Sequence, residues 1–142
     1  MSNYPSHLAD NNAPPIRGEV LVAAVAAAGS ADIDLQASAN RPSGSARRYW
    51  HNRYVSIQAD GGDLYVQFAT SSAGAAPDPT ATGISATTAI KIPADGIADF
   101  LIPAGTAGLP DGEADPREHW LRLYSVAGAT ARIWASSPSG GV

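Results

Sequence analysis

From Tyr54 to Ala69 apolar and polar positions alternate through two runs. Val55, Ile57 and Ala59 are interleaved with Tyr54, Ser56 and Gln58, and Leu64, Val66 and Phe68 with Tyr65, Gln67 and Ala69. A period of two marks a half-buried strand. Between the runs stands Asp60-Gly61-Gly62-Asp63, which predicts a β-hairpin with a two-residue glycine loop. In that register Asp60 faces Asp63, Ala59 faces Leu64, Ile57 faces Val66 and Val55 faces Phe68, so every apolar residue meets another. A slip of one residue would turn one strand's apolar set to water.

The rest of the chain carries the same period in shorter pieces. Gly18 to Ala28 is ambiguous, because its alanines favour helix while Val20, Val22 and Val25 favour strand. A surface helix needs a polar stripe and this stretch has none, so it is read as a strand. Gly29-Ser30 turns the chain into a run from Ala31 to Ala37 with Ile33, Leu35 and Ala37 inward. Strands are expected over Ala86 to Ile92 and Gly96 to Ile102 around Pro93-Ala94-Asp95. A second hairpin is expected from His119 to Val126 and Thr130 to Ser136, with Ala127-Gly128-Ala129 as its loop. Its inner face holds Leu121 and Leu123 against Ala135 and Ile133. Its outer face sets Arg122 against Trp134 and Tyr124 against Arg132, with Trp120 beyond. About eight antiparallel strands result, the content of an all-β sandwich or jelly roll. Thr70 to Thr82 reads as a long surface loop.

The two ends lie outside this pattern. Residues 1–17 hold three prolines and three asparagines without a period. Pro14-Pro15 favours an extended path, so the segment is either a loose tail or an arm that becomes ordered on a neighbouring subunit through Tyr4, Leu8 and Ile16. The division predicted is an N-terminal arm over 1–17, one domain over 18–137 and a flexible tail over 138–142.

Composition narrows the chemistry. The 142 residues include no cysteine, so neither a disulfide nor a thiolate metal site exists. The longest apolar run, Val20 to Ala28, is about half of what a spanning helix needs, and the start of the chain lacks a signal peptide's basic residues. The expectation is a soluble, unexported chain. Net charge is −4, from 13 acids and 9 bases, which disfavours nonspecific binding to nucleic acid. Eight of the bases are arginine and one is Lys91, a skew that suits interfaces better than solvent. Arg41, Arg47, Arg48 and Arg53 cluster with Tyr49 and Trp50; a protein partner fits them better than nucleic acid, given the acidic total.

The sequence carries no local catalytic or metal-binding signature. His7, His51 and His119 are the available imidazole bases, and no nucleophile elbow accompanies them. No paired-histidine, EF-hand or phosphate-loop motif is present. The acids Asp111, Glu113, Asp115 and Glu118 read as a solvated charge run before they read as a calcium site. The expectation is a non-enzyme without cofactor or metal.

The Tyr54 to Phe68 stretch, Ile102-Pro103-Ala104-Gly105 and the closing Ala131-Arg132-Ile133-Trp134-Ala135-Ser136-Ser137 resemble a pattern common among small virion proteins of tailed bacteriophages. The resemblance covers residues 18 to 137 in order of elements, and its motifs are moderately specific. It implies a non-enzymatic β-sandwich or jelly roll in the phage particle, made in the host cytoplasm. The first expectation is a capsid decoration (cement) protein on the head surface. It would be a trimer or another ring-like homo-oligomer that contacts the major capsid protein, with neither nucleic acid nor membrane as partner. The expected partner interface is Tyr4, Leu8, Ile16, Arg47, Arg48, Trp50, Trp120, Arg122, Tyr124, Arg132 and Trp134. A tail, fibre or head-tail connector subunit is the alternative within the particle. A carbohydrate-binding module using Trp50, Trp120 and Trp134 as a stacking platform is the alternative outside it.

Overall fold

The computed structural model describes residues 20–35, 37–40, 53–69, 72, 74–102 and 120–136. These residues hold eight strands: β1 (Leu21–Val25), β2 (Gly29–Asp34), β3 (Arg53–Asp60), β4 (Leu64–Ala69), β5 (Ile90–Ile92), β6 (Ile97–Ile102), β7 (Trp120–Ser125) and β8 (Ala129–Ser136). A short 3-10 turn at Ser38–Asn40 follows β2. The strands form two four-stranded sheets in the orders β1-β8-β3-β6 and β2-β7-β4-β5, antiparallel throughout.

This order follows from folding the chain in half. With the midpoint between β4 and β5, the two arms pair as β4 with β5, β3 with β6, β2 with β7 and β1 with β8. Rolling that double ribbon adds β3 against β8 and β4 against β7. The product is a jelly roll, one of the two architectures expected.

Both predicted hairpins are absent. β3 and β4 lie in different sheets, as do β7 and β8, and the chain crosses the core at each of the turns. The apolar residues expected to meet do meet, but between layers. Val55, Ile57 and Ala59 from one sheet share a core with Leu64 and Val66 from the other, as do Leu121 and Leu123 with Ala131 and Ile133. Phe68 and Phe100 close it with an edge-to-face contact at 5.3 Å. The physical reason is burial. Two alternating strands in a hairpin present one apolar face that still needs a cover, whereas folded onto each other they cover themselves.

The turn residues serve this crossing. Gly61 takes a positive φ of 91°, which glycine adopts without a Cβ penalty. Gly62 is glycine for a different reason, because a Cβ there would collide with the Gly128 carbonyl. The four short connections thus pack together at one end of the sandwich. Ser125 Oγ donates to the Asp63 carbonyl at 2.7 Å and accepts from Gly128 N at 3.1 Å, Ala28 N donates to Val126 O at 2.8 Å, and Asp95 N donates to Ala59 O at 2.6 Å.

Two strands are shorter than expected. Ala86 to Ala89 do not join β5, because Gln67 Nε2 takes the Ala86 carbonyl. β2 ends at Asp34, where Ala37 N donates back to Asp34 O and turns the chain, although Ile33 and Leu35 are buried as expected. The acidic stretch from Asp111 to Glu118, the histidines His7, His51 and His119, and the predicted arm and tail lie outside the described residues.

Candidate interaction surfaces

The outer face of the β1-β8-β3-β6 sheet follows from its register. One row runs Val22, Arg132, Gln58, Ile97, the next holds Trp134, Ser56 and Asp99, and Leu101 lies beyond Asp99 on β6. Val22, Ile97 and Leu101 are each about half exposed, at 52%, 53% and 54%. Trp134 is half-buried. Val22 stands at one edge of this face and Ile97 and Leu101 at the other, with Arg132 and Gln58 between them, while over the other sheet Ile84 is fully exposed. Two pairs of polar groups on this face are engaged with each other. Arg132 Nη2 meets Asp60 Oδ2 at 3.2 Å, and the buried Ser56 hydroxyl donates to Asp99 Oδ1 at 2.6 Å.

The outer face of the β2-β7-β4-β5 sheet is different. Its central row is Asp32, Arg122 and Gln67, and residues 74–89 fold over it. Arg122 is 7% exposed, with Asp32 Oδ1 at 3.8 Å from its Nε. Gly74 lies against the guanidinium, at a φ of 133°, and a Cβ there would stand 2.8 Å from Arg122 Nη1. Gln67 Nε2 ties down the same segment at Ala86 O and, at 3.5 Å, Thr88 O. Pro77 is buried. Asp78 braces the segment from within, accepting from Thr80 N at 2.8 Å and Thr80 Oγ1 at 2.7 Å, and these bonds hold its carboxyl below the ordinary 3.8. Tyr65 and Tyr124 adjoin along the next row, ring centroids 6.5 Å apart.

The single arginine-aromatic face predicted from the sequence therefore does not exist. Arg122, Tyr124 and Trp120 point outward from one sheet, and Arg132 and Trp134 outward from the other, on opposite sides of the sandwich. Trp120 and Trp134 cannot join in one stacking platform, which removes the ground for the three-tryptophan sugar site. Tyr4, Leu8, Ile16, Arg47, Arg48 and Trp50 lie outside the described residues. Sequence reasoning missed Val22, Ile97 and Leu101. Leu101 breaks alternation by following Phe100, which marks it as a residue on the wrong side of its strand.

At the turn end Asp60 and Asp63, expected to oppose each other, instead take separate cations. Asp60 pairs with Arg132, and Asp63 Oδ2 with Lys91 at 3.3 Å. The Ala94 N–H, donating to Asp63 Oδ1 at 2.9 Å, is the larger cause that holds the Asp63 carboxyl below 3.8, with Lys91 next. Among the described residues no group of three or more His, Cys, Asp or Glu is placed to hold a metal ion, and no helix is long and apolar enough to cross a membrane. Several polar groups on both faces are engaged in internal pairs, while Gln67 Oε1 is buried without a hydrogen-bond partner among the described residues. No protein-family model, curated protein or solved structure matches the chain.

Proposed function

We propose that this chain is a structural subunit of a tailed-phage particle, a decoration protein that binds the head shell through protein-protein contacts. The observation that carries this reading is the outer face of the β1-β8-β3-β6 sheet, where Val22 at one edge and Ile97 and Leu101 at the other stand about half exposed, with Trp134 half-buried on β8 between them. The sequence resemblance supplies the particle and the open apolar face supplies the means. A subunit that binds only the assembled lattice stabilises that lattice by its binding free energy, and repetition over the shell multiplies the effect. A stable contact buries about 1,600 Å² in total, and in this proposal the four-stranded face supplies part of the subunit's share, with the predicted arm 1–17 adding the rest on the shell.

The test is to add the purified protein to heads that lack it and to locate it by cryo-microscopy. Regular occupancy across the shell, lost on deletion of residues 1–17, is expected. Density confined to the tail or its connector would move the subunit to the alternative role in the same particle, and failure to bind any part of the particle would overturn the proposal.

A further inference from the structure

The two sheets have four edge strands, and three of them are blunted. β2 carries Asp32 and Asp34. β5 is three residues long, carries Lys91 and runs into Pro93. β6 carries Asp99 at its centre and runs into Pro103. Charge, shortness and proline are the usual means by which an edge is kept from pairing with another chain. β1 has none of them. From Val20 to Ala31 the chain has neither a charged residue nor a proline, and β1 is the outermost strand of its sheet with β8 as its partner among the described residues. Val20 and Val22 are exposed, at 45% and 52%.

We propose that the β1 edge is a self-association site, where a second copy of this chain adds its own β1 antiparallel about a two-fold axis, joining two four-stranded sheets into one. The inference rests on the reading of the chain as an assembling subunit and names the surface that joins two copies.

Three features select a second copy as occupant. The first is parity. An antiparallel two-fold centred on Ala23 sets Leu21 against Val25 and Val22 against Ala24, so residues facing the core continue the partner's core face and residues facing outward continue the outer face. The second is charge. Copies carrying a net −4 repel each other, and the least repulsive approach is along the uncharged stretch. The nearest charged groups inward of it, Arg132 and Asp60, neutralise each other. The third is continuity. The joined sheet would place Val22 and Ala24 of both copies on the same outer surface as Ile97 and Leu101, so dimerisation doubles the face proposed to meet the shell. Backbone hydrogen bonds supply the contact and the flat, small side chains Ala23 and Ala24 permit it.

Sedimentation of the full-length protein in the absence of heads tests this. The protein is expected to dimerise, and Val22→Lys, an outward substitution of the kind that protects natural edges, is expected to weaken self-association about a hundredfold. Ile97→Lys, on the opposite edge of the same sheet, leaves the dimer intact. Because the chain has no cysteine, the double variant Val22→Cys, Ala24→Cys should cross-link two copies on mild oxidation whether the axis passes through residue 22, 23 or 24. A monomer at every concentration overturns the inference, as does an oligomer that Val22→Lys leaves intact. Head binding is read separately: a monomeric Val22→Lys protein that still coats heads would leave the proposed function standing, and a dimer that ignores heads would leave the edge pairing standing.

Discussion

On one side of the sandwich Arg122 neighbours Gln67, and on the other Arg132 neighbours Gln58, the same two residue types paired across adjacent strands. Their fates differ. The Arg122 side chain is 9% exposed and that of Arg132 44%. The strands do not make this difference; residues 74–89 do, since they cover the first pair and have no counterpart among the described residues over the second. Burial of a guanidinium is therefore set here by what crosses the sheet, and the face with no cover among the described residues is the one proposed to meet a partner.

The comparison is broken or sharpened most by removing each arginine in turn. Arg122→Ala takes away the stem and head that residues 74–89 pack against, and should cost about 2 kcal/mol in denaturant unfolding. Arg132→Ala breaks an exposed pair and should cost no more than about 0.5 kcal/mol. Equal losses would show that the two faces are not different. Next in size is Ser56→Ala, which removes a buried hydroxyl of the open face and its short bond to Asp99, at about 1 kcal/mol by the same measurement. Leu101→Ser should shift stability by less than about 0.5 kcal/mol, because an exposed side chain has little to lose on the free protein. A loss as large as that from a core leucine would mean that the face is already covered.

The smallest effect is in acid. The carboxyls of Asp63 and Asp78 lie below their ordinary 3.8 in the folded state. Each contributes its stabilisation above the unfolded value and loses it as pH falls through the lower folded one, so the window lies below 3.8. Carboxyl chemical shifts followed through that range should titrate below the free-acid value at both residues. Asp78→Asn should flatten the acid dependence of residues 74–89 alone.

Much of the fold was legible because a period of two does not depend on which sheet a strand joins. Val55, Ile57, Leu64, Val66, Leu121, Leu123 and Ile133 are buried as their alternation required. What alternation cannot distinguish is a hairpin from a crossing between layers, because both bring Ile57 to the side of Val66. The discriminating fact, that Gly62 is small so that the Gly128 carbonyl can approach, joins turns 66 positions apart in sequence and leaves no local trace. The same blindness produced the arginine-aromatic face. Arg122 and Arg132 have the same outward parity, and only the sheet assignment puts them on opposite sides. Composition marks Thr70 to Thr82 of the cover over Arg122 as a loop and assigns Ala86 to Ile92 to a strand, but where the cover lands depends on Arg122 and Gln67 meeting it in space.

The outer face of the β1-β8-β3-β6 sheet is the proposed contact with the shell. Binding to purified heads should be compared for Leu101→Glu, on the open face, and Ser30→Glu, exposed on the outer side of β2. Both substitutions add one negative charge at an exposed position. The account predicts that Leu101→Glu abolishes occupancy while Ser30→Glu binds as the parent does; full binding by Leu101→Glu, or loss confined to Ser30→Glu, would contradict it.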